Sequence, residues 1–262
     1  MTKQPIPLPR LMGVIHLPAL PGSPGFCGSM TPIVERAVVD ASTLRAAGFD
    51  AAIIENFGDA PFFAERVEPA TVAAMAVVAA EVRRTTPLRL GINVLRNDAR
   101  AAMGIAAASG AEFIRVNVHI GVSATDQGLI QGRAAETLRY RQSTGASVAI
   151  LADVQVKHAV ALYPTDIATA AKECAYRGLA DGLIVTGAGT GEAVDPDDLC
   201  RVRDAVPDRP LYVGSGATAQ TVAELLRWAD GVIVGTAIKV DGITTAPVDR
   251  TRAAAFVTAA RA

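Results

Sequence analysis

The sequence predicts a single closed (β/α)₈ barrel, and three observations predict it. Eight short apolar, β-branched runs alternate with Ala-, Leu- and Arg-rich stretches of helical period, the pattern of parallel strands joined by crossover helices. The chain has 262 residues, close to the ~250 of one such barrel. No Pro/Gly/Ser-rich stretch divides it, so we assign residues 1–262 to one domain, with 1–10 as an N-terminal extension. A doubly wound open sheet is the alternative.

In order, the strands are Met12–His16, Ala51–Glu55, Leu88–Val94, Phe113–His119, Val148–Val154, Gly182–Thr186, Leu211–Gly214 and Val232–Gly235. The helices are 33–47, 69–84, 98–109, 132–143, 165–177, 197–205, 219–227 and 249–261. Several units share a lead-in of helix end, Gly or Ala, and an acid before the strand: AAGFDAAIIEN (46–56), ASGAEFIRVN (108–117), GLADGLIVTG (178–187) and WADGVIVG (228–235). Gly48, Gly110 and Gly178 fit left-handed positions after helices. Segments 18–32 and 119–132 read as long loops, which in compact domains are usually functional.

Composition excludes several partners. Half the chain is apolar and the net charge is −1, so no basic field exists to hold nucleic acid or an acidic membrane. Aromatic residues make up 5%, too few for a base-stacking surface. The three cysteines, Cys27, Cys174 and Cys200, are an odd number without CxxC spacing, which fits a reducing, cytoplasmic setting. The N-terminus has no continuous apolar h-region, and the Ala-rich stretch 70–82 is too short to span a bilayer.

In barrels of this kind the chemistry sits at the carboxyl ends of the strands. The chain has three His, four Asn and four Lys, and nine of these eleven fall at strand exits: His16, Asn56, Asn93, Asn97, Asn117, His119, Lys157, His158 and Lys239. Alternate strand residues share a face, which groups Arg115, Asn117 and His119, and separately Asp153, Gln155 and Lys157. Asp153 and Lys157 are candidates for an acid/base pair and equally for a structural ion pair. Glu55 and His16 are further acid/base candidates. Asn56, Asn93, Asn117 and His119 are candidates for orienting substrate hydroxyls or carbonyls, or else for capping loops. No cofactor is evident. A divalent metal held by His16, Glu55, His119 and Asp153 is a lesser possibility, without HxH or HExxH spacing to support it.

The seventh and eighth exits look like a phosphate cradle. Gly214-Ser215-Gly216 and Gly235-Thr236 are small enough to let backbone N–H groups approach an anion, at the usual barrel position for phosphate. Lys239 is expected to add a charge, and Gly187 and Gly189 of the sixth exit border the same quadrant. The bland alternative is that these glycines only make tight turns. No GxxxxGK[ST] occurs, and GAGTG (187–191) is not a full GxGxxG, so a P-loop or dinucleotide site is unsupported.

The segments GVIHLPALPGSP (13–24), IENFGDAPF (54–62), GINVLRND (91–98), IRVNVHIG (114–121), ILADVQVKHA (150–159), ADGLIVTGAGTG (180–191), YVGSGAT (212–218) and VIVGTAIKVDG (232–242) together resemble the BtpA/SgcQ family nearly end to end. The resemblance implies a TIM barrel of the ribulose-phosphate-binding type. It also implies two kinds of role, since the family takes its name from a photosystem I biogenesis factor while other members are associated with sugar-metabolism genes. Gln155 stands where the family's ADVHVKHA segment has His.

These readings lead to an enzyme acting on a phosphorylated small molecule, a sugar or heterocycle phosphate, by proton transfer of the isomerase, aldolase or lyase type. The rivals are a non-catalytic assembly factor, with Phe57, Phe62 and Phe63 as its aromatic anchor, and a metal-dependent hydrolase. A homo-oligomer is compatible with the sequence.

Overall fold

Burial decides where the apolar runs go. A computed structural model describes residues 8–156, 158–163, 165–187 and 193–262. In chain order the elements are β1 (Leu11–His16), α1 (Thr31–Ala47), β2 (Ala51–Glu55), α2 (Pro69–Thr85), β3 (Arg89–Asn93), α3 (Ala99–Ser109), β4 (Phe113–Val116), β5 (Val122–Thr125), β6 (Gly128–Gln131) and α4 (Ala134–Ser143). They continue with β7 (Ala149–Asp153), β8 (Ala159–Ala161), α5 (Ile167–Lys172), β9 (Gly182–Val185), α6 (Pro196–Ala205), β10 (Leu211–Val213), α7 (Val222–Leu225), β11 (Gly231–Val234) and α8 (Arg250–Arg261).

β1, β2, β3, β4, β7, β9, β10 and β11 close into a parallel barrel in that order. Alternation sorts their side chains. Met12, Val14, Ala51, Ile53, Phe113, Leu151, Ile184, Tyr212 and Ile233 fill the interior, while Ile15, Ala52, Ile54, Leu90, Ile114, Ile150 and Val234 pack outward against the helices. Continuing the inward series by two residues brings His16, Glu55, Asn93, Arg115 and Asp153 to the upper interior. The register pairs His16 with Glu55 and Glu55 with Asn93, so these three stand side by side.

The repeated acid before the strands has a structural reason. Asp50, Asp181 and Asp230 each use Oδ2 to accept the N–H of the neighbouring strand's Leu11, Ile150 or Leu211, at 2.8 Å. At the fourth repeat Glu112 instead accepts from Arg89 Nε at 2.7 Å. These acids tie off the amino ends of the barrel, where an unpaired N–H would be costly. Asp98, Asp166, Asp195 and Asp249 cap helices α3, α5, α6 and α8 by accepting first-turn N–H groups.

The structure departs from the expected elements in four places. β4 stops at Val116 rather than His119, and α7 keeps only Val222–Leu225. Gly48 and Gly110 are left-handed as expected, but Gly178 has φ −78° and follows a π-helical turn over Glu173–Arg177. Segment 119–132 is a β5–β6 hairpin rather than a loop. It pairs with β8 in a three-stranded antiparallel sheet that reaches the barrel mouth.

Candidate active site

A cavity of about 580 Å³ opens at the carboxyl ends of the strands. His16 and Glu55 form one wall, Arg96, Arg115 and Asn117 the floor and the next wall, and Gly214–Ala217 with Gly235–Ala237 the side that adjoins His16 across β11 and β1. Phe57 and Phe62 flank the entrance, and Asp126 and Gln127 reach in from the tip of the β5–β6 hairpin.

His16 is 8% exposed. Its Nδ1 lies 3.0 Å from the Thr244 carbonyl, and a carbonyl only accepts, so Nδ1 carries the proton. Nε2 is turned to Glu55 Oε1 at 3.6 Å, and the ring leans on Phe57 with centroids 4.8 Å apart. The cradle touches this wall directly, since a Cβ on Gly235 would lie 2.7 Å from His16 Cε1 and would require the ring to shift.

Arg115 ties the deep interior together. Its guanidinium donates to both Asp153 oxygens at 3.2 Å, and Asn117 Nδ2 donates to Asp153 Oδ2 at 2.7 Å. Burial opposes the charge on Arg115, but Asp153 and Glu55 outweigh it and raise its pKa above the ordinary value. The same guanidinium reaches the cradle, as a Cβ on Gly214 would meet Arg115 Nη2 at 3.3 Å and Thr186 Cγ2 at 2.8 Å. Arg96 is buried in the loop after β3, where desolvation lowers its pKa against the pull of Asp153 and Glu55.

The cradle keeps donors available. Gly214 N–H is spent on the Val185 carbonyl at 2.8 Å. The N–H groups of Ser215, Gly216 and Ala217 have no hydrogen bond among the described residues. Ser215 Oγ accepts from Gly187 N at 3.2 Å, and Thr236 Oγ1 pairs with Thr244 Oγ1 at 2.9 Å.

Of the residues singled out from the sequence, His16, Glu55, Asn117, Gly214, Ser215, Gly216, Gly235 and Thr236 line this one cavity. Asp153 sits beneath it, its carboxylate committed to Arg115 and Asn117. Asn93 is buried beside Asn117, donating to its Oδ1 at 3.4 Å. Gly187 lies behind Ser215. Lys157 and Gly189 lie outside the described residues.

Three expected site residues sit elsewhere. Asn56 turns sideways, accepting from Leu95 N at 2.7 Å and donating to Asp59 at 3.0 Å. It braces the next loop, as Asn97 does through Val118 N and O at 2.8 and 2.9 Å. His119 lies beyond the end of β4, with Nε2 against the Gly178 carbonyl at 2.8 Å, and burial lowers its pKa. Lys239 does not charge the cradle. It is fully buried against Asp40 of α1, with Nζ 3.5 Å from Oδ2, because the chain turns outward through the 3₁₀ segment Thr236–Ile238.

Arg96, Asp126 and Gln127 line the cavity although nothing in the sequence reading selected them. Arg115 was grouped with Asn117 by strand parity but not chosen. His158, whose φ is 55°, also lines the cavity. Among the described residues, no group of three His, Cys, Asp or Glu stands close enough to hold a metal ion. No described helix is long and apolar enough to cross a membrane.

The comparisons agree with this architecture. The chain is 45% identical over 249 residues to the photosystem I biogenesis protein BtpA of Synechocystis, covering 95% of this chain and 87% of that protein. In fold it is similar to tryptophan synthase from M. tuberculosis (19% identity, TM-score 0.59, 97% of this chain and 93% of that one). It is also similar in fold to phosphoribosyl anthranilate isomerase from Thermococcus kodakaraensis (17% identity, TM-score 0.56, 97% and 99%). The fold is a TIM barrel. With the BtpA family model matching residues 9–262, the chain belongs to the BtpA family.

Proposed function

We propose that this protein is an enzyme acting on a phosphorylated small molecule by acid/base proton transfer beside a carbonyl, of the isomerase, aldolase or lyase type. One observation carries the reading. The anion cradle at the β10 and β11 exits and the His16–Glu55 wall border a single cavity and touch each other at Gly235. A phosphoryl group on the Ser215–Ala217 and Thr236 N–H groups would hold the rest of the substrate against Glu55 and His16.

In this reading Glu55 and His16 move the proton, a contribution of roughly 10²–10⁴ in rate. Arg115 polarises a carbonyl or alkoxide oxygen from the floor, while Asp153 and Asn117 position Arg115. Asn93 orients Asn117. Lys157 is retained as a candidate base from the sequence. The fold neighbours include an isomerase acting, by its name, on a phosphoribosyl compound, which supports the choice of substrate class.

The test is a crystal grown in millimolar phosphate, together with native mass spectrometry of freshly purified protein. Phosphate at Ser215–Ala217 and Thr236, or a co-purified phosphorylated compound, is the expected result. An empty cradle rejects the reading.

The assembly-factor reading draws on the name of the cyanobacterial relative. Of its three aromatic anchors, Phe57 and Phe62 face the cavity and Phe63 alone is exposed, at 52%. The aromatic surface it needs is therefore mostly absorbed by the mouth.

A further inference from the structure

We infer that the β5–β6 hairpin tip reads hydroxyl groups on the substrate, so that the molecule taken is a sugar phosphate rather than a phosphorylated aromatic heterocycle. The inference rests on the phosphate reading above and narrows it.

The tip projects from the cap sheet into the same cavity as the cradle. Asp126 and Gln127 are its two lining residues. Gln127 Nε2 donates to Asp126 Oδ2 at 2.5 Å. A carboxylate accepts and does not donate at neutral pH, so this contact fixes which end of the amide is which. Gln127 Oε1 is therefore an acceptor, and it is buried with no hydrogen-bond partner among the described residues. Asn93 repeats the pattern deeper down. Its Nδ2 donates to the Arg115 carbonyl and to Asn117 Oδ1, at 3.3 and 3.4 Å, and its own Oδ1 is buried without a partner.

Asn93 does not line the cavity, so the acceptor offered to a ligand is Gln127 Oε1, with the Asp126 carboxylate beside it. Buried acceptors left unpaired are costly, and a group that donates to them recovers that cost. The matching ligand carries O–H donors several atoms away from its phosphoryl group. A phosphorylated aromatic that carries no N–H or O–H donor leaves this oxygen unsatisfied. The specificity argument is asymmetric in the usual way, since a site built around hydrogen bonds rejects a ligand lacking the partner strongly.

The experiment is calorimetric titration of the full chain with inorganic phosphate, phenyl phosphate, ribose 5-phosphate and glucose 6-phosphate. The expected result is binding of inorganic phosphate and at least one sugar phosphate bound about tenfold or more tighter than phenyl phosphate, the size of one well-placed hydrogen bond. Gln127→Leu is expected to bring that ratio to within about threefold and leave the inorganic phosphate affinity unchanged. Asp126→Asn, which loosens the amide but keeps the turn, is expected to fall between the two and covers the case in which the leucine disturbs the hairpin.

Phenyl phosphate binding as tightly as both sugars, while inorganic phosphate still binds, overturns this inference alone. A sugar preference undiminished in both variants overturns it as well. If none of the four compounds binds, the phosphate reading itself falls and the inference with it.

Discussion

Two buried ion pairs formed by residues at or near strand ends differ in nearly every respect. Arg115–Asp153 lies inside the barrel under the cavity. It has two guanidinium contacts at 3.2 Å and a third bond from Asn117. Lys239–Asp40 lies outside the strands, between α1 and the segment leading to α8, with a single contact at 3.5 Å. Asp40 is in addition held by Val248 N at 2.8 Å and by Arg36 at 3.3 Å. The first pair presents a fixed charge to the cavity, because a guanidinium keeps its proton and its planar fork fits a carboxylate. The second is a strut. Burial pushes the Lys239 pKa down to about 8, despite the attraction of Asp40. A charge at the end of a strand thus faces the cavity or serves as a strut according to which side of the barrel wall it leaves by.

The strongest way to break the first pair is Asp153→Asn. It leaves Arg115 buried beside a neutral group, and loss of one partner from such a pair costs about 3–5 kcal/mol. Denaturant unfolding should show this loss undiminished from pH 7 to pH 10, since Arg115 cannot shed its charge. A melting temperature unchanged by Asp153→Asn would instead make the carboxylate dispensable to the fold and available for chemistry.

Asp40→Asn sharpens the contrast, with a smaller loss that depends on pH. The ordinary lysine value is 10.5 and the folded value about 8. Between these the unfolded chain binds the extra proton, so Lys239 makes stability rise with pH there. The burial cost, on the order of 3 kcal/mol, is fully present below pH 8 and gone above 10.5. Asp40 holds the Lys239 pKa up, so Asp40→Asn moves it further below 8, and the deficit should shrink as pH rises toward 8 and level off above it, where both folded forms carry a neutral amine. A deficit constant with pH would show that Lys239 keeps its charge.

What was legible in the sequence follows the reach of local rules. Strand parity is a two-residue rule, and it grouped Asn117 with Arg115 and set Asp153 at the barrel mouth because each lies on, or one residue past, a strand, whereas His16 and Glu55 stood out by residue type at a strand end. The rule ends with the strand. His119 is three residues past Val116 and did not keep the face that alternation assigned, and Lys239, expected at the cradle, follows a 3₁₀ turn that carries it outward. Counting scarce residues found the His and Asn clusters but was blind to Arg96 and Arg115. Of the 25 basic residues 21 are arginine, so no single arginine stands out. Parity alone had already put Arg115 with Asn117, and that signal was sufficient to select it. The cap hairpin was legible in VSATDQGLIQ, two alternating runs about a Gly-containing turn, yet its length suited a loop equally well. Its pairing with β8 joins residues some 35 positions apart, which no local rule reaches.

Gly235→Ala tests whether the cradle and the acid/base wall are one unit. The added methyl would lie 2.7 Å from His16 Cε1, so the ring must move, at a cost of about 1–3 kcal/mol for overpacking. The expected signature is a shifted His16 ring resonance accompanied by weaker phosphate binding. If phosphate binding is lost while the His16 resonance stays in place, the two sides act separately.

The smallest effect is expected on the outer surface. Phe63 is half-exposed and away from both pairs, so Phe63→Ser should change stability by no more than about 0.5 kcal/mol and leave phosphate binding intact. The neighbouring Phe62 lines the cavity, so Phe62→Ser should weaken ligand binding while altering stability only modestly. This contrast separates the two functional readings by location. An enzyme is sensitive at Phe62 and indifferent at Phe63, whereas a docking protein that used this edge would respond in the reverse order. Titrating both variants with ribose 5-phosphate distinguishes them, because the second pattern requires that neither substitution alter the affinity.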